Sequence, residues 1–156
     1  MWVAVILLVG VTIAYASYNL LIKVSTTHIP AAVTSPIGAT IALQLAALSA
    51  SLIYLAYLTT RPSAVLALPT SAYLWAVAAG FSIGVAEIGY FYLFRGVSGE
   101  APMAVNVVVP VVVCGTVAIT AIAGWWLLKE SFSTFQVVGT GLVACGVVLM
   151  FAGRTT

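Results

Sequence analysis

Glu87 is an ionisable residue inside an apolar run, Ala72 to Phe94, long enough to cross a bilayer. A charged side chain at the centre of such a helix costs on the order of 2.5–3.5 kcal/mol even on lenient insertion scales. The chain has five basic and three acidic residues in all, and one of the acids sits here. A carboxylate at that depth marks a site for a proton, a cation or a polar substrate. With the span centred near Gly84, Glu87 lies about 4.5 Å from the midplane at 1.5 Å per residue.

Helical spacing gives Glu87 its neighbours. Residues at i, i+3, i+4 and i+7 share a face, which puts Gly80, Ile83, Gly84, Tyr90, Phe91 and Phe94 beside the carboxylate. Gly80 and Gly84 form a G-x-x-x-G pair, the spacing that lets another helix approach closely. The first apolar segment carries a polar stripe of its own: Thr12, Tyr15, Tyr18, Asn19 and Lys23. The second offers Thr40, Gln44, Ser51 and Tyr54. The fourth adds Asn106 and Pro110, where the proline removes the N–H that would bond the Asn106 carbonyl and kinks the helix. Such side chains can hold helices together or line a shared polar cavity. Tyr15, Asn19, Gln44, Tyr90 and Asn106 are the candidate contacts for a substrate or proton alongside Glu87.

These residues need a scaffold, and composition restricts it. The chain is 63% hydrophobic and 5% charged, whereas a soluble domain carries roughly a quarter charged residues. Its solvent is therefore expected to be lipid. A span needs about 20 mostly apolar residues, and five segments suit: 2–22, 37–58, 72–94, 102–128 and 135–152. The expected fold is an all-α membrane protein, a bundle of five transmembrane helices in one domain over 1–156, with no soluble domain. Barrel strands are shorter and alternate in polarity, unlike these runs. The first segment lacks a basic flank and is too long for a signal peptide's apolar core, so it is expected to be retained.

Five crossings put Trp2, Trp75, Trp125 and Trp126 on the N-terminal side, where interfacial aromatics belong. The same count puts Arg61 and Lys129 on that side, and Lys23, Arg95 and Arg154 on the other. The positive-inside rule acts on this difference, which is close to a tie. A multi-pass protein of the cell (inner) membrane is expected, either oriented by another factor or inserted both ways up. Two opposed copies would form an inverted pair, the symmetry that places substrate at a repeat interface in many secondary transporters.

The last span packs small residues at four-residue spacing, Thr140 with Ala144 and Gly141 with Cys145, and has no ionisable group. Cys114 and Cys145 read as small packing residues. Neither metal nor cofactor is expected, and His28 stands alone. One histidine, no H-E-x-x-H and no paired intramembrane carboxylates exclude the usual intramembrane enzymes. Nucleic-acid binding has no basic patch to rest on.

The segment Gly89-Tyr90-Phe91-Tyr92-Leu93-Phe94-Arg95-Gly96, the proline-centred fourth span, Trp125-Trp126-Leu127-Leu128-Lys129-Glu130 and the glycine-patterned fifth span together resemble the EamA domain of the drug/metabolite transporter superfamily. Tyr18-Asn19-Leu20-Leu21-Ile22-Lys23 is similar to that family's opening helix. The resemblance implies a single five-helix unit that needs a partner, since most relatives fuse two units. The four-span small multidrug-resistance relatives work as antiparallel dimers with an essential glutamate in their first helix. Here no acid precedes Glu87, so that role does not transfer by position; Glu130 matches the family's glutamate after the fourth span.

Two functional readings follow. One is a proton-coupled secondary transporter of small organic solutes, metabolite-like or drug-like, cationic or amine-bearing, working as a dimer. The other is a non-transporting membrane subunit or lipid-carrier flippase component, paired with a second membrane protein. The expected partners are the lipid bilayer, a second copy or a paralogous five-span subunit, and a small-molecule substrate.

Overall fold

The computed structural model describes residues 2–61, 67–96 and 100–152, with side chains described as far as Met150. Among the described residues five helices form and no strand: α1 (Trp2–Thr27), α2 (Ile37–Thr59), α3 (Thr70–Arg95), α4 (Val105–Trp126) and α5 (Thr134–Ala152). Four of them, α1 to α4, are long and apolar enough to cross a membrane. At 19 residues, α5 lies near the short end of the range of about 17–25 for a span. Large apolar side chains face outward throughout, with Trp75 78% and Phe81 76% exposed. Such a surface suits hydrocarbon, because a soluble helix would turn that face inward.

Helix ends depart from the expected spans for local reasons. The first helix continues past Ile22 to Thr27, so Lys23 lies within it rather than in a connection. No breaker interrupts it before Pro30, and its last carbonyls find side-chain donors. Thr26 Oγ1 donates to the Lys23 carbonyl at 2.7 Å, Thr27 Oγ1 to Val24 at 2.7 Å, and His28 Nδ1 sits 2.9 Å from the Val24 carbonyl. The fourth helix is shorter than expected at both ends, starting after Met103 and Ala104 and finishing at Trp126. Lys129, just beyond, adopts φ 57°, a left-handed conformation that stops a helix. Prolines set the starts of α2 and α3, which follow Pro36 and Pro69. Arg154 lies outside the described residues.

The chain divides into two compact units, one ending at Pro102 and the other starting at Met103. In the first, α3 packs against both α1 and α2. Ser35 Oγ and Tyr92 Oη lie 2.9 Å apart, and Gln44 approaches Gly84. As residue numbers rise on one helix they fall on the other, so α2 and α3 are antiparallel. Lys23 Nζ donates to the Phe94 carbonyl at 2.9 Å; with Tyr18 and Glu87 on one cavity wall, this makes α1 parallel to α3. In the second unit α4 packs against α5.

Candidate functional site

The three helices of the first unit leave an open groove of about 610 Å³. Tyr15 and Tyr18 line it from α1, Gln44 from α2, and Gly80, Ile83 and Glu87 from α3, with small and aliphatic side chains filling the rest. The periodicities meet here: Tyr15 and Tyr18 are three residues apart, and Gly80, Ile83 and Glu87 follow at three and four. The tyrosine rings stand edge to face, centroids 6.2 Å apart and planes at 81°, a favourable aromatic arrangement.

Glu87 is 4% exposed, and its Oε2 has no hydrogen-bond partner among the described residues. An unsatisfied polar atom in an apolar interior costs about 1–3 kcal/mol, more when charged. Hydroxyls elsewhere on these helices avoid that cost by bonding to their own backbone. Thr12 Oγ1 donates to Leu8 at 2.8 Å, Ser49 to Leu45 at 2.8 Å and Ser51 to Ala47 at 3.3 Å. Two of the expected stripe residues, Thr12 and Ser51, therefore serve their own helices. The atoms left over are Tyr18 Oη, Asn19 Oδ1, Thr40 Oγ1 and Glu87 Oε2, together with Arg95 Nη1.

The remaining candidates fall in different places. Asn19 is buried at 6% exposure, with Nδ2 donating to the Tyr15 carbonyl at 2.8 Å, and does not line the groove. Tyr90 is half-buried one turn beyond Glu87, its ring 5.5 Å from that of Phe94. Asn106 is exposed on α4 of the second unit, where Pro110 stands inside the helix. Gly80 opens onto the groove, and a Cβ there would meet nothing within 4 Å. At Gly84 a Cβ would lie 3.2 Å from Gln44 Nε2, so the close approach falls at this glycine. A Cβ on Gly141 would likewise meet nothing within 4 Å, and Cys145 is a free, exposed thiol. Tyr18 and Thr40 belong to the polar stripes, but their spacing alone does not single them out as contacts. What distinguishes them is burial against a second helix, which one helix's spacing does not reveal.

Among the described residues no group of three or more His, Cys, Asp or Glu could hold a metal ion. The groove can take a small organic molecule, offering two aromatic rings, an amide and one carboxylate. Compared with protein families, with curated proteins and with solved structures, the chain matches none of them.

Proposed function

We propose that the chain is an EamA-like, membrane-embedded five-helix unit of a secondary transporter for small organic solutes, with Glu87 exchanging a proton for a cationic or amine-bearing substrate. The observation that carries this reading is the groove of about 610 Å³ in which Glu87, withdrawn from solvent, meets two tyrosines and a glutamine drawn from three helices. A protonated carboxyl and a carboxylate paired with a bound cation are both neutral overall. Either one relieves the cost of a lone charge in apolar surroundings, so the two ligands compete and their movements are coupled. Tyr15 and Tyr18 supply π faces suited to an organic cation. The groove lies open along its side, and a second copy or a paralogous unit would close it into a pathway.

The test is proton movement in proteoliposomes. With a pH-sensitive dye inside, a panel of organic amines added outside should change luminal pH when the native protein is present. Glu87→Gln keeps the side-chain shape and removes the exchangeable proton, so the response should vanish. Full pH-coupled transport by Glu87→Gln would end the coupling claim. It would leave Glu87 as a packing or docking contact with no part in the coupling.

A further inference from the structure

Four buried oxygen atoms of the first unit lack a hydrogen-bond partner among the described residues: Tyr18 Oη, Asn19 Oδ1, Thr40 Oγ1 and Glu87 Oε2. They come from all three helices. The antiparallel register, Ser35 with Tyr92 and Gln44 with Gly84, sets Thr40 level with Glu87. Tyr18 and Glu87 share the groove wall, and Asn19 is the next residue along α1. The Asn19 amide nitrogen is already engaged by the Tyr15 carbonyl at 2.8 Å, which leaves its oxygen as the free end. Native interiors rarely leave buried polar atoms unpaired. Four such oxygens, with Thr40 level with Glu87 and Tyr18 on the same groove wall, are a specific exception.

We propose that these oxygens bind a monovalent metal cation, Na+, beside the substrate groove. The donor set is carboxylate, amide carbonyl and two hydroxyls, hard ligands suited to alkali and alkaline-earth ions rather than to transition metals. Glu87 is the only carboxylate on these three helices, and one carboxylate balances one positive charge. A divalent ion would leave an uncompensated net charge buried in apolar surroundings. The other titratable or charged groups on the helices packed around it are Tyr15, Tyr18 and Lys23 of α1 and Tyr90, Tyr92 and Arg95 of α3; Tyr73 of α3 and Tyr54 and Tyr57 of α2 stand several turns away. Lys23 donates to the Phe94 carbonyl. Na+ and a proton therefore compete for the same carboxylate, and acid displaces the metal. The inference rests on Glu87 as an exchange site, as proposed above, and adds a ligand to it.

Equilibrium binding of radioactive Na+ to the purified full chain in detergent tests this, with choline as the non-binding control. Saturable binding that weakens as pH falls is expected from the native protein. Glu87→Gln should bind at least about tenfold more weakly, a loss of roughly 1.4 kcal/mol, and the near-isosteric Thr40→Val should bind measurably more weakly. Thr40→Val carries the comparison if Glu87→Gln does not elute as folded protein. Absence of saturable binding to the native chain would overturn the proposal, as would equal binding by the native chain and both variants, which would leave ordered water as the partner of these oxygens. Na+ binding without solute transport would refute the transporter and leave the metal site standing. Transport without Na+ binding would do the reverse.

Discussion

Gly84 sets how closely α2 can sit against α3, one turn from the carboxylate. A Cβ at this position would lie 3.2 Å from Gln44 Nε2, tighter than ordinary contact but against the mobile end of a long side chain. Gly84→Ala should therefore be nearly neutral. The amide shifts by a few tenths of an ångström, and alanine's helix propensity offsets the strain at up to about 1 kcal/mol. Gly84→Leu has no such escape: its branched end would enter the space that Gln44 occupies, at about 1–3 kcal/mol for overpacking. Thermal unfolding in detergent should show an unchanged midpoint for Gly84→Ala and a lowered one for Gly84→Leu. Equal midpoints for both would mean that α2 is free to move away from α3. Gly80, on the same face, provides the contrast, since a Cβ there meets open groove.

At the scale of elements, the end of α3 near Arg95 is tied down by polar contacts. Lys23 and Arg95 both donate to backbone carbonyls, Lys23 to Phe94 and Arg95 to Pro30 at 3.0 Å and to Val33, while Ser35 meets Tyr92. The helix then stops at Gly96, whose φ of 94° and ψ of 148° belong to a region that side chains with a Cβ rarely enter. A Cβ at Gly96 would also collide with the Glu100 carbonyl. Gly96→Ala should accordingly destabilise by about 1–3 kcal/mol, read as a lowered midpoint of thermal unfolding; an unchanged midpoint would show that this turn has another conformation available. These elements also show what sequence alone can and cannot reveal. Five apolar segments stand out because lipid demands uninterrupted runs, and the spacing of Gly80, Ile83 and Glu87 shows that they share a face. The continuation of α1 through Lys23 is hidden, because lysine forms helix well and its charge is accommodated by a carbonyl 71 residues away. Which stripe hydroxyls are spent on their own backbone is hidden too. Thr12 and Thr40 are the same residue type, but one hydroxyl bonds to Leu8 and the other is buried with no partner among the described residues. Asn106 has the same type and polarity as Asn19, but it belongs to the other unit and is exposed.

At the scale of the whole molecule, charge decides which way up the chain inserts, and the balance is nearly even. If all five helices cross, Arg61 and Lys129 lie on one side, with Lys23, Arg95 and Arg154 on the other. Lys23 belongs to the last turns of α1 and reaches the end of α3, so its position does not alter the count. Orientation follows the bias in Lys and Arg near the ends of spans, and a difference of one residue is a weak bias. Copies should therefore insert in both orientations, and an opposed pair would bring two open grooves together about a two-fold axis in the membrane plane. A reporter fused after Thr156, active on only one side of the membrane, should yield signal from both. Two arginines added between Lys129 and Thr134 should hold that connection in the cytoplasm and collapse the signal to one side, because so small a native bias is easily overridden. A native signal confined to one side would mean that this chain has a fixed orientation. Identical copies would then be unable to build the inverted pair, and the proposed closing of the groove would fall to a second membrane protein whose charge bias is the reverse of this one.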